Sequence, residues 1–471
     1  MVFSSLTFLF LFLPLLYLFV FLSPAPRWRN GVLIVFSLIF YAWGEPVWVL
    51  AMLFSTAANY VFALLIERSG SAARRKLFLV LGIVTSICFL FYFKYAAFLL
   101  GTVTGLLGLE NPLSAPKLPI GISFYTFQIL TYTVDVYRGK ERALHNPLRL
   151  LLYISCFPQL IAGPIVQYGD IAAQLEERAI CPEDFGDGMQ RFCFGLGKKV
   201  LLANICGAAL EALPLAGRGA QMSLAGAWLA ALLYTLQLYF DFSAYSDMAI
   251  GLGRTLGFRY KENFNYPYIS SSVTEFWRRW HISLGSFFRD YVYIPLGGNR
   301  RGTGRTILNM LIVWSLTGFW HGASWNFVLW GAYYGVLLIL ERFVLKTALD
   351  RLPRLLRMLL TFAVVMVGWV IFYYTDAAAL GEHLRALIGL GAAGRLPLTD
   401  GVTLGVLRQY TLFPLLALLL SLPVFPAAEK LLARVGKLGQ LVRLLCAVAV
   451  FAASVLFLVG QSYNPFIYFR F

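Results

Sequence analysis

The chemistry of this chain is concentrated between Glu275 and His321. The stretch opens with Glu275-Phe276-Trp277-Arg278-Arg279-Trp280-His281 and continues through Arg289-Asp290-Tyr291-Val292-Tyr293-Ile294-Pro295-Leu296-Gly297-Gly298-Asn299-Arg300. It closes on Gly318-Phe319-Trp320-His321-Gly322 inside an apolar run. His321 is one of four histidines, with His145, His281 and His383. If the chain enters a membrane near Asn309, the helix to Trp320 rises about 18 Å at 1.5 Å per residue. That places His321 deep within an apolar layer about 30 Å thick. An ionisable group at such depth is costly and marks function by default. A ring so buried favours its neutral form and can take a proton from a hydroxyl attacking an acyl carbonyl. A neutral histidine bonded to a backbone carbonyl between packed helices accounts for the position equally well. Gly318 and Gly322 permit close approach of a ligand, or simply of a second helix.

Phe276, Trp280, Leu284, Phe287 and Tyr291 recur at steps of three and four, with Arg278, Arg279, Ser286 and Arg289 between them. This spacing predicts one helix lying in the membrane interface, stopped by Pro295-Leu296-Gly297-Gly298-Asn299. Arg289 and Asp290 are placed to pair. His281 is a second candidate for chemistry, although an anchoring helix with snorkelling arginines explains the block without it. Asp241 and Asp247, six residues apart, do not share a helix face, which argues against a paired-carboxylate site. Acids within a membrane call for partners, and Arg254 or the arginines of the central block are available. Structural pairing is the favoured reading.

Phe157-Pro158-Gln159-Leu160-Ile161-Ala162-Gly163-Pro164 interrupts an apolar run with two prolines. Broken backbone at membrane depth must line protein or a water-filled cavity, so Pro158, Gln159 and Pro164 are expected in a tunnel wall, a plain kink being the alternative. The tail 461–471 ends Asn464-Pro465-Phe466-Ile467-Tyr468-Phe469-Arg470-Phe471. So aromatic a segment is expected to dock. Tyr468 either reaches the central cavity or joins an aromatic belt at the outer interface.

The elements that position these residues are membrane spans. Of 471 residues, 59% are hydrophobic and only 13% charged, against about 25% charged in ordinary soluble domains. The lipid bilayer is therefore the solvent of this chain. The net charge of +16 lies in short clusters between apolar runs, which reads as cytoplasmic loops facing anionic lipid and not as a nucleic-acid surface. The six scattered cysteines contain no CxxC pair, so neither a disulfide framework nor a metal site is indicated. Apolar runs at 6–22, 31–44, 46–66, 77–101, 119–137, 148–168, 190–212, 223–251, 307–345, 358–375, 411–426 and 444–460 suggest about eleven to thirteen membrane segments, several too short to cross fully. The first run lacks a positive flank before it and is expected to be a retained span. Basic clusters after the first and third runs put the N-terminus outside, and later parity puts the C-terminus outside as well. The acidic stretch 169–189 has no clear side. The whole of 1–471 is expected to be one membrane domain, with a catalytic core at 231–345.

Phe276 to His281, Arg289 to Asn299 and Trp320-His321-Gly322 resemble the signature of the membrane-bound O-acyltransferases. The Pro-Leu-Gly-Gly-Asn-Arg continuation is more similar to the alginate O-acetyltransferase (AlgI-like) branch than to the teichoic-acid D-alanyl (DltB-like) branch. The resemblance covers most of the chain, including its first five residues, Phe157 to Pro164 and Asn464 to Phe471. It implies an all-α polytopic protein of the bacterial inner membrane, a ring of tilted helices around a thin centre with a tunnel from a cytoplasmic donor funnel to an outer acceptor funnel. By the same resemblance His321 matches the essential tunnel histidine and His281 a second, more variable position. Acetyl-CoA would be the donor substrate, with no bound cofactor. Arg278, Arg279, Arg289, Arg300 and Arg301 would meet it at the cytoplasmic mouth, while Asp241, Asn299 and Trp320 would line the tunnel. The tail also resembles the terminus of the small protein that accompanies the D-alanyl branch, which makes Tyr468 a candidate acyl carrier. An extracytoplasmic acetyltransferase of the SGNH type would be the partner that passes the group to a polysaccharide. A D-alanyl transferase and a polytopic transporter are the other readings. A transporter would need polar lining on several spans, whereas polarity here converges on one block.

Overall fold

Apolar runs with no polar stripe fold as helices, because only a helix satisfies its own backbone away from water. The computed structural model describes residues 1–114, 116–219, 221–392, 394–460 and 467. Among these, strands are confined to the short antiparallel pair Leu390–Gly391 and Gly394–Arg395. Six helices among the described residues are long and apolar enough to cross a bilayer: Val49–Arg68, Ala72–Leu106, Pro182–Glu211, Trp325–Asp350, Arg354–Tyr373 and Gly436–Gly460. Gly401–Tyr410 and Leu412–Leu420, bent by 65° between them, make a seventh if taken together. The chain is an all-α polytopic membrane protein, as the composition requires.

Fewer helices qualify as spans than the roughly eleven to thirteen membrane segments the apolar runs suggest, for a physical reason. The run at 119–137 becomes the 16-residue helix Ile122–Tyr137, buried along nearly its whole length. The run at 148–168 breaks after Ser155, and the run at 307–345 reverses beyond His321. A helix enclosed by protein need not be long enough to span lipid or apolar on every side.

The helices form two compact units, Met1–Phe192 with Tyr245–Glu262, and Cys193–Ala244 with Asn263–Phe471. In the first, the helices Val49–Arg68, Ala72–Leu90 and Ile122–Tyr137 are tied by a buried polar knot. Asn59 donates to Ser86 Oγ and accepts from Thr133 Oγ1, each at 2.9 Å. A Cβ on Gly82 would fall 3.0 Å from the Asn59 amide oxygen, so glycine sets the approach of the helices. Bonds of this kind hold apolar helices together at about 1 kcal/mol each.

The Phe157–Leu160 turn also lies in the first unit, with Pro158, Gln159 and Pro164 all buried. Its backbone finds protein partners. Phe157 N–H donates to Ser37 Oγ at 3.1 Å, and Gln159 Nε2 donates to the Tyr153 carbonyl at 2.6 Å. The acidic stretch 169–189 is neutralised within the same unit. Asp184 pairs with Arg254 and Arg259, and Asp170 pairs with Lys261.

Candidate active site

The central aromatic and basic block lies in the second unit, and it is not one interfacial helix. Helix Val273–Arg279 ends at Trp280, His281 turns left-handed at φ 46°, and a second helix, Ile282–Phe288, leads into a wider turn at Arg289–Tyr293. Phe276, Trp280, Leu284 and Phe287 are buried at 1–4% exposure. The three-and-four spacing therefore reports protein packing on two short helices, where the sequence predicts a single interfacial helix. The first helix is fixed at its start by Ser272, which accepts from Glu275 N–H at 3.0 Å. Glu341 reaches in from beyond the Trp325–Leu340 helix and accepts from Val273 N–H at 2.6 Å and Thr274 N–H at 3.0 Å. These are donors that a helix start leaves without intrahelical partners. Burial pushes the Glu275 carboxyl up, but hydrogen bonds from Ser271 and Arg279 outweigh it and hold the group below its usual range.

A left-handed histidine costs on the order of 1–3 kcal/mol and persists only where its surroundings enforce it. Asn263 enforces it here. Its backbone carbonyl accepts from Ile282 N–H at 2.9 Å, and its Oδ1 accepts from Ser283 N–H at 3.1 Å and Ser283 Oγ at 2.8 Å. His281 Nδ1 lies 3.2 Å from the same Oδ1. Because a backbone N–H can only donate, the Asn263 atom at this corner is its oxygen, and Nδ1 is the protonated nitrogen of His281. The lone pair is left on Nε2.

His321 is the last residue of helix Thr303–His321. The return helix Trp325–Leu340 packs so closely that a Cβ on Gly318 would meet the Phe327 carbonyl at 2.4 Å, and one on Gly331 the Trp314 carbonyl at 2.5 Å. A Cβ on Gly322 would strike the Phe327 ring. Of the two uses open to Gly318 and Gly322, the structure shows helix packing. The His321 ring, 6% exposed, is held edge-on by Trp320 and Trp330 at 4.9 Å and by Phe372 at 5.1 Å. Trp320 also meets His281 at 5.7 Å. The imidazole orientation is thus set by aromatic edges and faces, which prefer such tilted contacts.

Beside this cage lies a cavity of about 480 Å³, lined among others by Tyr234, Gln237, Phe327, Tyr373, Asp376 and Ile467. Phe327 stands edge-to-face with Phe372 at 4.9 Å, so the cavity and His321 share an aromatic partition. Asp241, one turn beyond Gln237, pairs with Lys199 at 2.5 Å. Arg254, one of the partners available to the two acids, instead binds Asp184 and Asp187. Asp241 Oδ2 also accepts from Ile467 N–H at 2.8 Å. Tyr468 lies outside the described residues.

The membrane-bound O-acyltransferase family model matches residues 136–377, which include Asp241, His281, Trp320 and His321. Along its whole length the chain is 39% identical to the probable alginate O-acetylase AlgI of Azotobacter vinelandii, itself covered completely. The chain belongs to the membrane-bound O-acyltransferase family. It is an O-acyltransferase. It is also 33% identical to the peptidoglycan O-acetyltransferase of Helicobacter pylori, over 76% of this chain and 73% of that protein. Similarity to the teichoic acid D-alanyltransferase of Bacillus subtilis is weaker, 29% over 54% of this chain and 68% of that one.

Within this acyltransferase the expected donor-site arginines fall into two groups. Arg279 is engaged by Glu275 at 3.0 Å and Arg289 by Asp290 at 2.7 Å. Arg278, Arg300 and Arg301 are exposed, as is Asn299 in the turn that ends the block. Sequence reasoning missed Asn263, Glu341 and Lys199. Asn263 follows Lys261 and Glu262 in a polar stretch and Glu341 stands beside Arg342 near the end of an apolar run, and both therefore read as solvated. Lys199 carried a usable signal, a lysine inside the apolar run 190–212, which calls for a nearby acid.

Proposed function

We propose that the chain moves acetyl groups from cytoplasmic acetyl-CoA across the inner membrane for O-acetylation of an extracytoplasmic polysaccharide. Supporting the acetyl donor is full-length similarity to an alginate O-acetylase, where the D-alanyl relative matches only about half of the chain. Alginate itself is one candidate acceptor and peptidoglycan another. The observation that carries the reading is His321, buried in an aromatic cage that shares a partition with the cavity.

In this reading His321 removes the proton from an acceptor hydroxyl as its oxygen attacks the thioester carbonyl. The carbon–sulfur bond breaks, and CoA leaves as a thiolate that takes up the proton. Exclusion of water protects the thioester from hydrolysis. Arg278, Arg300 and Arg301 hold the donor's phosphates. Tyr468, the residue after cavity-lining Ile467, supplies the hydroxyl and carries the acetyl group to an SGNH-type partner. Both termini then lie outside the cell membrane. Purified protein given acetyl-labelled acetyl-CoA should release CoA and carry label on Tyr468. Labelled protein that keeps its mark after Tyr468→Phe would remove the relay, and inertness toward acetyl-CoA would remove the donor.

A further inference from the structure

Lys199 and Asp241 form a charged pair at 3% and 2% exposure, on two helices of the second unit. Lys199 lies in a widened, π-helical turn, Lys198–Ala203, that interrupts the apolar helix Pro182–Glu211. Such turns cluster at functional sites. Burying two charges costs several kcal/mol per ion even after relaxation, and apolar side chains of similar volume often stabilise as well or better. Stability alone therefore gives a poor reason for the pair. Its geometry gives a better one. Lys199 holds one carboxylate oxygen, and the other accepts the backbone N–H of Ile467, 226 residues from Asp241 in sequence. Ile467 is itself buried and forms part of the cavity wall, as does Gln237, one turn before Asp241.

We propose that Lys199 and Asp241 are a clasp that sets the register of the tail at the cavity, and that both are positioning residues for acyl transfer. The clasp grips a main-chain amide, so it fixes which residue sits at that depth. A slip of one residue moves even a tightly wound chain by about 1.5–2 Å, more than a hydrogen bond tolerates. A misplacement of about 1 Å near reacting atoms already costs about a hundredfold in rate. The consequence for turnover rests on the acetyl-transfer reading above, whereas the docking of the tail does not.

The test compares two double variants of the full-length protein, each free of an unpaired buried charge. Lys199→Met with Asp241→Asn keeps an oxygen for the Ile467 amide. Lys199→Met with Asp241→Leu removes it. Carboxypeptidase digestion followed by intact mass should go no further than Ile467 in the wild type and the asparagine variant, and run past it in the leucine variant. With acetyl-CoA, the leucine variant should lose about a hundredfold in kcat at unchanged KM, and the asparagine variant should recover most of that loss. The same digestion pattern in all three proteins overturns the clasp. Release of the tail with kcat intact overturns its positioning role. If the wild type does not consume acetyl-CoA at all, the donor assignment fails, and the digestion pattern alone decides the clasp.

Discussion

His281 and His321 both meet one indole: the Trp320 ring centre lies 5.7 Å from the first imidazole and 4.9 Å from the second. They are 40 positions apart in sequence. One is placed by a left-handed corner and the other by the end of a helix. A single indole therefore contacts both rings.

Asn263 should be as important as either histidine. Replacing it with alanine removes the oxygen shared by Ser283 and His281, leaving buried donors unmet at about 1–3 kcal/mol. Asn263→Ala should lower the melting temperature and reduce turnover, while Asn263→Asp, which keeps the acceptor, should retain more of both. Thermal unfolding in detergent together with an acetyl-CoA assay checks this.

Closeness of the two helices around His321 should not survive an added methyl group. Gly318→Ala would put a carbon 2.4 Å from the Phe327 carbonyl. Overpacking of this kind costs about 1–3 kcal/mol. The expected outcome is lower yield of folded protein and a displaced His321 ring. A fluorescence size-exclusion profile equal to wild type, with full activity, would contradict it.

Acidification should loosen the cavity wall through His383. Burial lowers this imidazole to about 4, although its bond to the Ala227 carbonyl acts the other way. Its Nδ1 meets the hydroxyl of Tyr374, which lines the cavity. Because the unfolded chain takes up this proton near pH 6.5 and the folded chain only near 4, stability falls as pH drops from the first value to the second. Between those two pH values the melting temperature should fall more for wild type than for His383→Gln.

The exposed arginines should govern donor binding more than the chemical step. Alanine at Arg278, Arg300 and Arg301 together should raise KM for acetyl-CoA by about tenfold or more, the loss of at least one charge-assisted hydrogen bond. Added salt should weaken wild-type binding in the same direction. An unchanged KM in the triple variant would take the donor away from this surface.

His321 was legible because charge is scarce in this chain and an imidazole in an apolar run stands out. The end of the block at Pro295-Leu296-Gly297-Gly298-Asn299 and the pairing of Arg289 with Asp290 were legible for local reasons, turn residues and adjacent opposite charges. The corner at His281 was not. Nothing in the three-and-four spacing of Phe276, Trp280, Leu284 and Phe287 announces that the chain breaks between the second and third, because two short buried helices can keep the period of one long one. The partner of Asp241 was not legible for a related reason. Arg254 is near in sequence but belongs to a separate ion-pair network, and only tertiary packing brings Lys199 to Asp241.

The most direct measurement is the rate of CoA release from acetyl-CoA by purified wild type and His321→Ala, paired with size-exclusion profiles that show both proteins folded. A general base contributes about 10²–10⁴-fold, so the variant should be slower by at least that lower factor while eluting as wild type does. A folded His321→Ala protein releasing CoA at the wild-type rate would contradict the role assigned to this imidazole.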